Sequence, residues 1–175
     1  MTRLFHVSEE PGIAVFHPRP SPSPQDSGVT GDCVWAIDEA HLVNFMTPRD
    51  CPRITFGRAP ATTDEDAARF LFSARRVVAF EAAWLDRLRA CVLHIYEMPP
   101  AAFEPALPEA GYWIAREAVA PIGVRVVDDL FAELIAQGAE VRILQDFWPL
   151  CDAVAASTLE FSISRKRNAL PRLGS

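Results

Sequence analysis

The chain lacks the features that identify the common dinucleotide and metal folds. No Gly-x-Gly-x-x-Gly follows a predicted strand, and the single lysine, Lys166, does not stand in a P-loop. Both absences argue against a Rossmann or P-loop nucleotide fold. The cysteines form no Cys-x-x-Cys pair, so the sequence predicts no metal site and no disulfide framework, only buried reduced thiols. They are Cys33, Cys51, Cys91 and Cys151.

Excess positive charge and long apolar runs are lacking as well. The formal net charge is -6, which disfavours non-specific binding to a nucleic-acid backbone. There is no apolar run long enough to span a membrane and no charged-then-apolar leader, so we expect a soluble, cytoplasmic protein without a membrane partner. A chain of 175 residues that is 50% hydrophobic can bury one core, which predicts a single domain over 1–175.

Short apolar strands and helical patterns alternate irregularly along the chain. Predicted strands outnumber helices, which favours an α+β fold with a mixed or antiparallel split sheet and flanking helices. A stretch rich in Pro, Ser and Gly at 17–31 predicts a loop. The spacing of Leu150, Val154, Thr158 and Phe161 predicts a helical C-terminal segment over 149–170.

His6 and Ser8 are the first candidates for a binding site. They stand two apart on the predicted first strand, so both side chains leave one face while Phe5 and Val7 leave the other. An imidazole and a hydroxyl on a rigid strand can hold the hydroxyls of a ribose in one pose. The alternative is a core histidine whose hydrogen bonds are satisfied within the protein.

Two further pairs extend this hypothesis to a whole nucleotide. Trp35 and Phe45, at the end of a strand and on the following helix, could line a slot for a planar ring. Arg49 and Arg53 could clamp a diphosphate through forked hydrogen bonds. The alternatives are plain core packing for the aromatic pair and solvated surface positions for the arginines.

Carboxylates near the predicted later strands supply candidates for acid–base chemistry. Glu109 is the one that we select as a catalytic carboxylate, with Glu97 and Glu117 as further strand-edge glutamates. His41 and His94 cannot be joined to a serine or cysteine by any sequence signature of a catalytic triad.

These residues also carry two family resemblances. From Leu4-Phe5-His6-Val7-Ser8-Glu9 to Arg167-Asn168-Ala169, nearly its full length, the chain resembles a short bacterial family of unknown function. A second pattern consists of His6-x-Ser8, then an aromatic residue directly before Ala36, then Phe45 nine positions after Ala36. This order resembles the ADP-ribosyltransferase superfamily of the His-Tyr-Glu type.

The second resemblance implies an ADP-ribosyltransferase-like fold, NAD as cofactor and a nucleotide as ligand. It implies that His6 and Ser8 hold the NAD ribose and that Phe45 stacks on nicotinamide. The glutamate of that family has no counterpart in register, since Gly111 stands there and Glu109 lies two residues earlier. The implied reaction is ADP-ribosyl transfer, or phosphate transfer as in RNA 2′-phosphotransferases of the same fold. The alternative is a non-enzymatic protein-interaction module.

Overall fold

The computed structural model describes residues 2–20 and 28–172. The chain forms two compact units, each built from two separate stretches of sequence. Unit 1 comprises Met1–Phe45 and Val92–Val127, and unit 2 comprises Met46–Cys91 and Asp128–Ser175. Helices and strands occur together in an α+β arrangement, as the sequence predicts. The prediction of a single domain over 1–175 stays a prediction.

The strands among the described residues number eleven. They are β1 (Leu4–Ser8), β2 (Arg19–Pro20), β3 (Asp32–Asp38), β4 (Arg53–Gly57), β5 (Arg76–Glu81), β6 (Leu93–Met98), β7 (Glu104–Leu107), β8 (Tyr112–Ala115), β9 (Gly123–Val127), β10 (Ala139–Leu144) and β11 (Glu160–Ser164).

Helices are short. The α-helical ones are α1 (Asp64–Asp66), which continues as a π-helix over Ala67–Leu71, α2 (Leu85–Ala90), α3 (Leu130–Ala136) and α4 (Phe147–Ala155). Side-chain caps begin three of them, because Thr63, Asp129 and Asp146 each accept a backbone N–H of the first turn. None of the helices in the described ranges is long and apolar enough to cross a membrane.

Unit 1 is built on an antiparallel sheet. Its strand order is β7-β8-β3-β1-β6-β9, and β2 pairs with the beginning of β3. Alternating side chains of these strands bury an apolar cluster on one side of the sheet. That cluster contains Leu4, Phe16, Val34, Ala36, Tyr96, Met98, Phe103, Ala115 and Val119.

Unit 2 is built on a mixed sheet of order β10-β5-β4-β11. β10 runs parallel to β5, and the other two pairs are antiparallel. The central run Val77–Phe80 is fully buried, which fits its continuous apolar sequence. Cys151, Val154 and Leu159 are among the residues that bury the core of this unit.

The structure corrects or qualifies three sequence predictions. The predicted helical segment 149–170 is wrong in its second half, because α4 ends at Ala155 and β11 pairs with β4. The predicted helix after β3 is a 3-10 helix over Glu39–Phe45. Of the predicted loop 17–31, residues 21–27 lie outside the described residues, and Arg19–Pro20 forms β2.

Candidate functional site

His6 and Ser8 lie on one face of β1, as their spacing predicts. Across the antiparallel ladder to β6, His6 pairs with Tyr96 and Ser8 pairs with His94. Side chains of directly paired residues stand on the same side of a sheet. These four residues therefore define one surface of unit 1, the His6 face. His6, Ser8 and His94 are half-buried there, whereas Tyr96 is buried.

The His6 ring is held where the pairing of β1 with β3 ends. In the described residues, these two strands pair only through Leu4 and Phe5 on the β1 side. Just past this pairing, His6 Nδ1 lies 2.8 Å from the carbonyl oxygen of Trp35. Because a carbonyl only accepts, Nδ1 donates the proton, and Nε2 of the neutral ring is then an acceptor. The Phe16 ring, 4.5 Å away between centroids, packs against the imidazole.

Ser8 and Tyr96 make hydrogen bonds to the backbone of the segment that follows β1. Ser8 Oγ accepts the backbone N–H of Glu10 at 3.0 Å. The Tyr96 hydroxyl donates to the Glu10 carbonyl at 2.8 Å and accepts the Ile13 N–H at 3.0 Å. Both bonding directions of the tyrosine are thus used within the protein, while the hydroxyl proton of Ser8 is not needed for its contact with Glu10.

Trp35 and Phe45 lie on the opposite side of the same sheet. Phe5 pairs with Ile37, so β3 directs its odd-numbered side chains, including Trp35, away from the His6 face. Tyr112 contacts both aromatic residues edge-on, with centroid distances of 5.7 Å to Trp35 and 6.0 Å to Phe45. The structure therefore brings Trp35 and Phe45 together but does not bring them to His6.

An aspartate–histidine pair that no sequence pattern identifies lies at the end of β3. Asp38 Oδ1 accepts both the backbone N–H of His41, at 2.9 Å, and its ring Nδ1, at 2.8 Å. Gly111 packs directly on this pair with a left-handed φ of 74°. Glu109 lies two residues before this glycine in an exposed 3-10 turn. It therefore stands near the start of β8, and Tyr112, the first residue of β8, pairs with Ile37 near the end of β3.

Arg49 and Arg53 belong to unit 2. Arg53 is the first residue of β4 and is only 6% exposed, with its guanidinium donating to the Cys51 carbonyl at 3.2 Å. Arg49 is exposed, and its carbonyl accepts a bond from Arg165 Nε at 3.0 Å. Of the two guanidinium groups predicted to meet a diphosphate, the structure places only Arg49 at the surface.

His94 is the residue of the His6 face whose polar atoms are least satisfied. Its Nδ1 is buried and has no hydrogen-bond partner. The alternation of His94 with Tyr96 already indicates that the two share a face. The sequence does not show that β1 lies beside the strand of His94 and Tyr96. The pairing of His94 with Ser8 is what places His94 on the His6 face.

No group of three or more His, Cys, Asp or Glu side chains within residues 2–20 and 28–172 could hold a metal ion. All four cysteines are buried and none forms a disulfide, which agrees with the prediction of buried thiols. Comparison with curated proteins and with solved structures finds no match. A family model matches residues 5–169, so the chain belongs to a family of unknown function, DUF6886.

Proposed function

We propose that unit 1 binds NAD or a related nucleotide at the His6 face, in an ADP-ribosyltransferase-like sheet. The observation that carries the proposal is the bond of 2.8 Å between His6 Nδ1 and the Trp35 carbonyl. It fixes both the tautomer and the direction of a half-buried imidazole just past the last paired residues of β1 and β3. A group fixed in this way loses little freedom when it binds a ligand.

His6 and Ser8 supply complementary groups for a ribose. In the proposed complex, His6 keeps its Nδ1 bond to the Trp35 carbonyl and bonds a sugar hydroxyl through Nε2. Ser8 keeps a hydroxyl proton to donate, since its Oγ acts as an acceptor toward Glu10. His6 would supply the acceptor and Ser8 the donor, two positions apart on one face of β1. Such a pair matches two neighbouring ribose hydroxyls, each of which can give and receive a hydrogen bond.

The reaction that we propose for this site is ADP-ribosyl transfer. The bond between ribose C1′ and the nicotinamide nitrogen breaks, a bond from C1′ to an acceptor nucleophile forms, and the acceptor loses a proton. Glu109 is the carboxylate predicted for that proton. It lies in the exposed turn before β8, at the Leu4 end of the sheet, because β8 begins opposite Ile37 and Ile37 pairs with Phe5.

Calorimetric titration with NAD tests the binding step. We expect heat with the wild-type protein and at least tenfold weaker binding with His6→Ala. The Phe45→Leu variant tests the opposite side of the sheet and is expected to bind as wild type. No heat in the wild type, or unchanged affinity in His6→Ala, rejects the proposed site on the His6 face. Lost affinity in Phe45→Leu alone moves the site to the Trp35 side.

Incubation with NAD labelled in its ADP-ribose portion tests the transfer step. Release of nicotinamide together with label on a protein or nucleic-acid acceptor supports transfer, and Glu109→Gln is expected to reduce it. Binding without any release of nicotinamide would leave a nucleotide-binding protein and reject the transfer reaction.

A second candidate, a non-enzymatic interaction module, is favoured by Phe72. This phenylalanine is 78% exposed and has a φ of 51°, a backbone conformation that is unfavourable for a residue with a side chain. Arg142 lies over its ring at 5.6 Å. An exposed aromatic residue on a strained backbone suits a contact with a protein partner. Transfer of label from NAD is incompatible with a pure interaction module.

A further inference from the structure

We propose that the nucleotide site, where it exists as proposed above, extends across β6 to β9. In this extended site His94 bonds the ribose-phosphate portion of the ligand, and Val124 and Val126 pack against its base. The proposal deepens the proposed function and depends on it for the identity of the ligand. It assigns the base to a different surface from Trp35 and Phe45.

The first observation is the unsatisfied nitrogen of His94. On the His6 face, the Tyr96 hydroxyl makes two bonds, and Ser8 Oγ and His6 Nδ1 make one each. His94 Nδ1 is buried without a partner. A buried polar atom that makes no bond is costly and calls for a specific explanation. A ligand oxygen that bonds this ring would remove the cost.

The second observation is the position of the ring. His94 stands between Ser8 on β1 and Val126 on β9 in one row across three strands. The ring is half-buried, and rotation about its Cβ–Cγ bond exchanges Nδ1 with Cδ2 without moving the backbone. In the proposed complex this rotation brings the unsatisfied nitrogen toward a ligand that also contacts Ser8.

The third observation is the apolar surface beside this row. Val124 and Val126 are 56% and 59% exposed, and they pair with Tyr96 and His94, which places both on the His6 face. Two β-branched side chains on alternate positions of a rigid strand form a flat apolar platform. A planar base that covered it would remove this surface from water, directly next to the groups that bond the sugar and phosphate.

Titration of three variants with NAD, ADP-ribose and ribose 5-phosphate tests the proposal. His94→Phe keeps a ring but removes both nitrogens, and Val126→Glu places a charge on the platform. Ile122→Glu is the matched control, since Ile122 is 64% exposed and precedes β9 outside the two rows. Affinity is measured by calorimetry, ligand contact by the imidazole NMR signals of His94, and folding by thermal unfolding of each variant.

We expect His94→Phe and Val126→Glu each to weaken NAD at least tenfold, while Ile122→Glu binds as wild type. Ribose 5-phosphate should shift the His94 signals and should be insensitive to Val126→Glu, because it has no base. NAD binding that falls in His6→Ala but not in folded His94→Phe overturns this inference and leaves the proposed function intact.

The converse pattern separates the two ideas as well. Ribose 5-phosphate that shifts the His94 signals while NAD does not bind rejects NAD as the ligand and retains the His94 site. If none of the three compounds moves those signals, the inference is wrong, whatever affinity calorimetry reports for NAD.

Discussion

Replacement of Gly111 by alanine is expected to break the Asp38–His41 pair. An alanine Cβ at position 111 would lie 2.3 Å from His41 Nδ1, 2.6 Å from its Cγ and 2.8 Å from Asp38 Oδ1. All three separations are far inside van der Waals contact. Either the histidine ring or the backbone at 111 must move, and the hydrogen bonds of the pair are the contacts that would be lost.

The expected cost has two parts. The φ of 74° at Gly111 is left-handed, and a residue with a Cβ pays about 1–2 kcal/mol there. Displacing His41 removes its bond to Asp38, and a hydrogen bond to a charged group contributes about 1.5–3 kcal/mol. Together these amount to about 2.5–5 kcal/mol. Gly12 is the matched control in unit 1, because its φ is 70° and nothing lies within 4 Å of its Cβ position, so Gly12→Ala should cost only the first part.

Urea unfolding measures both costs. With a denaturant slope of roughly 2 kcal/mol per M, the midpoint should fall by about 1.2–2.5 M for Gly111→Ala and by at most about 1 M for Gly12→Ala. In a His41→Ala background, the additional loss from Gly111→Ala should be smaller, since two of the three clashes are with the ring and only that with Asp38 Oδ1 remains. Equal losses for the two glycine variants in the wild-type background would refute the steric argument.

Three further outcomes are expected from the described contacts. Burial raises the pKa of the Cys51 thiol to about 12, so at pH 8 native Cys51 should resist iodoacetamide and react only after unfolding; rapid native labelling would contradict its burial. Hydrogen bonds from Thr158 hold the pKa of Asp66 below its ordinary value of 3.8. The hydrogen bonds to ionised Asp66 therefore stabilise the fold above that value, and this stabilisation is lost as the pH falls through the lower pKa of the folded state. Asp66→Asn should make the unfolding free energy depend less on pH in that range. Phe72→Gly should be about 1 kcal/mol more stable than Phe72→Ala by thermal unfolding, because only glycine is relaxed near a φ of 51°; equal stabilities would show that position 72 is unstrained.

Strands with a strong local signal were predictable from the sequence, and those that depend on partners were not. The buried run Val77–Phe80 of β5 carries its own apolar pattern. β7 does not, because Pro105 interrupts it, and an edge strand tolerates proline where an interior strand would not. The sequence predicts a helix where β11 lies, because Thr158 and Phe161 continue the spacing of α4. Thr158 is instead held by Asp66, 92 residues earlier in the chain, and no local pattern reveals that bond.

The same distinction between local signals and partner-dependent features holds for the candidate site. The spacing of His6 and Ser8 within one strand correctly places both on one face, since alternation is a local property. Whether Trp35 joins them depends on the register between β1 and β3, which are far apart in sequence. His94 joins the site only through its pairing with Ser8. Finding it therefore also requires the register between two strands that are far apart in the sequence.

The register between β1 and β3 decides which ring a nucleotide could meet. A slip of one residue would reverse every side chain of β3 relative to β1 and would bring Trp35 to the side of His6. Leu4 opposite Asp38 and Phe5 opposite Ile37 oppose that slip, because it would expose Ala36 and Val34, which now complete the apolar cluster around Phe16. The His6 bond to the Trp35 carbonyl depends on the same register. A ligand that bridged His6 and Phe45 would therefore have to reach around the sheet, whereas one that spans His6, His94 and Val126 lies along a single face.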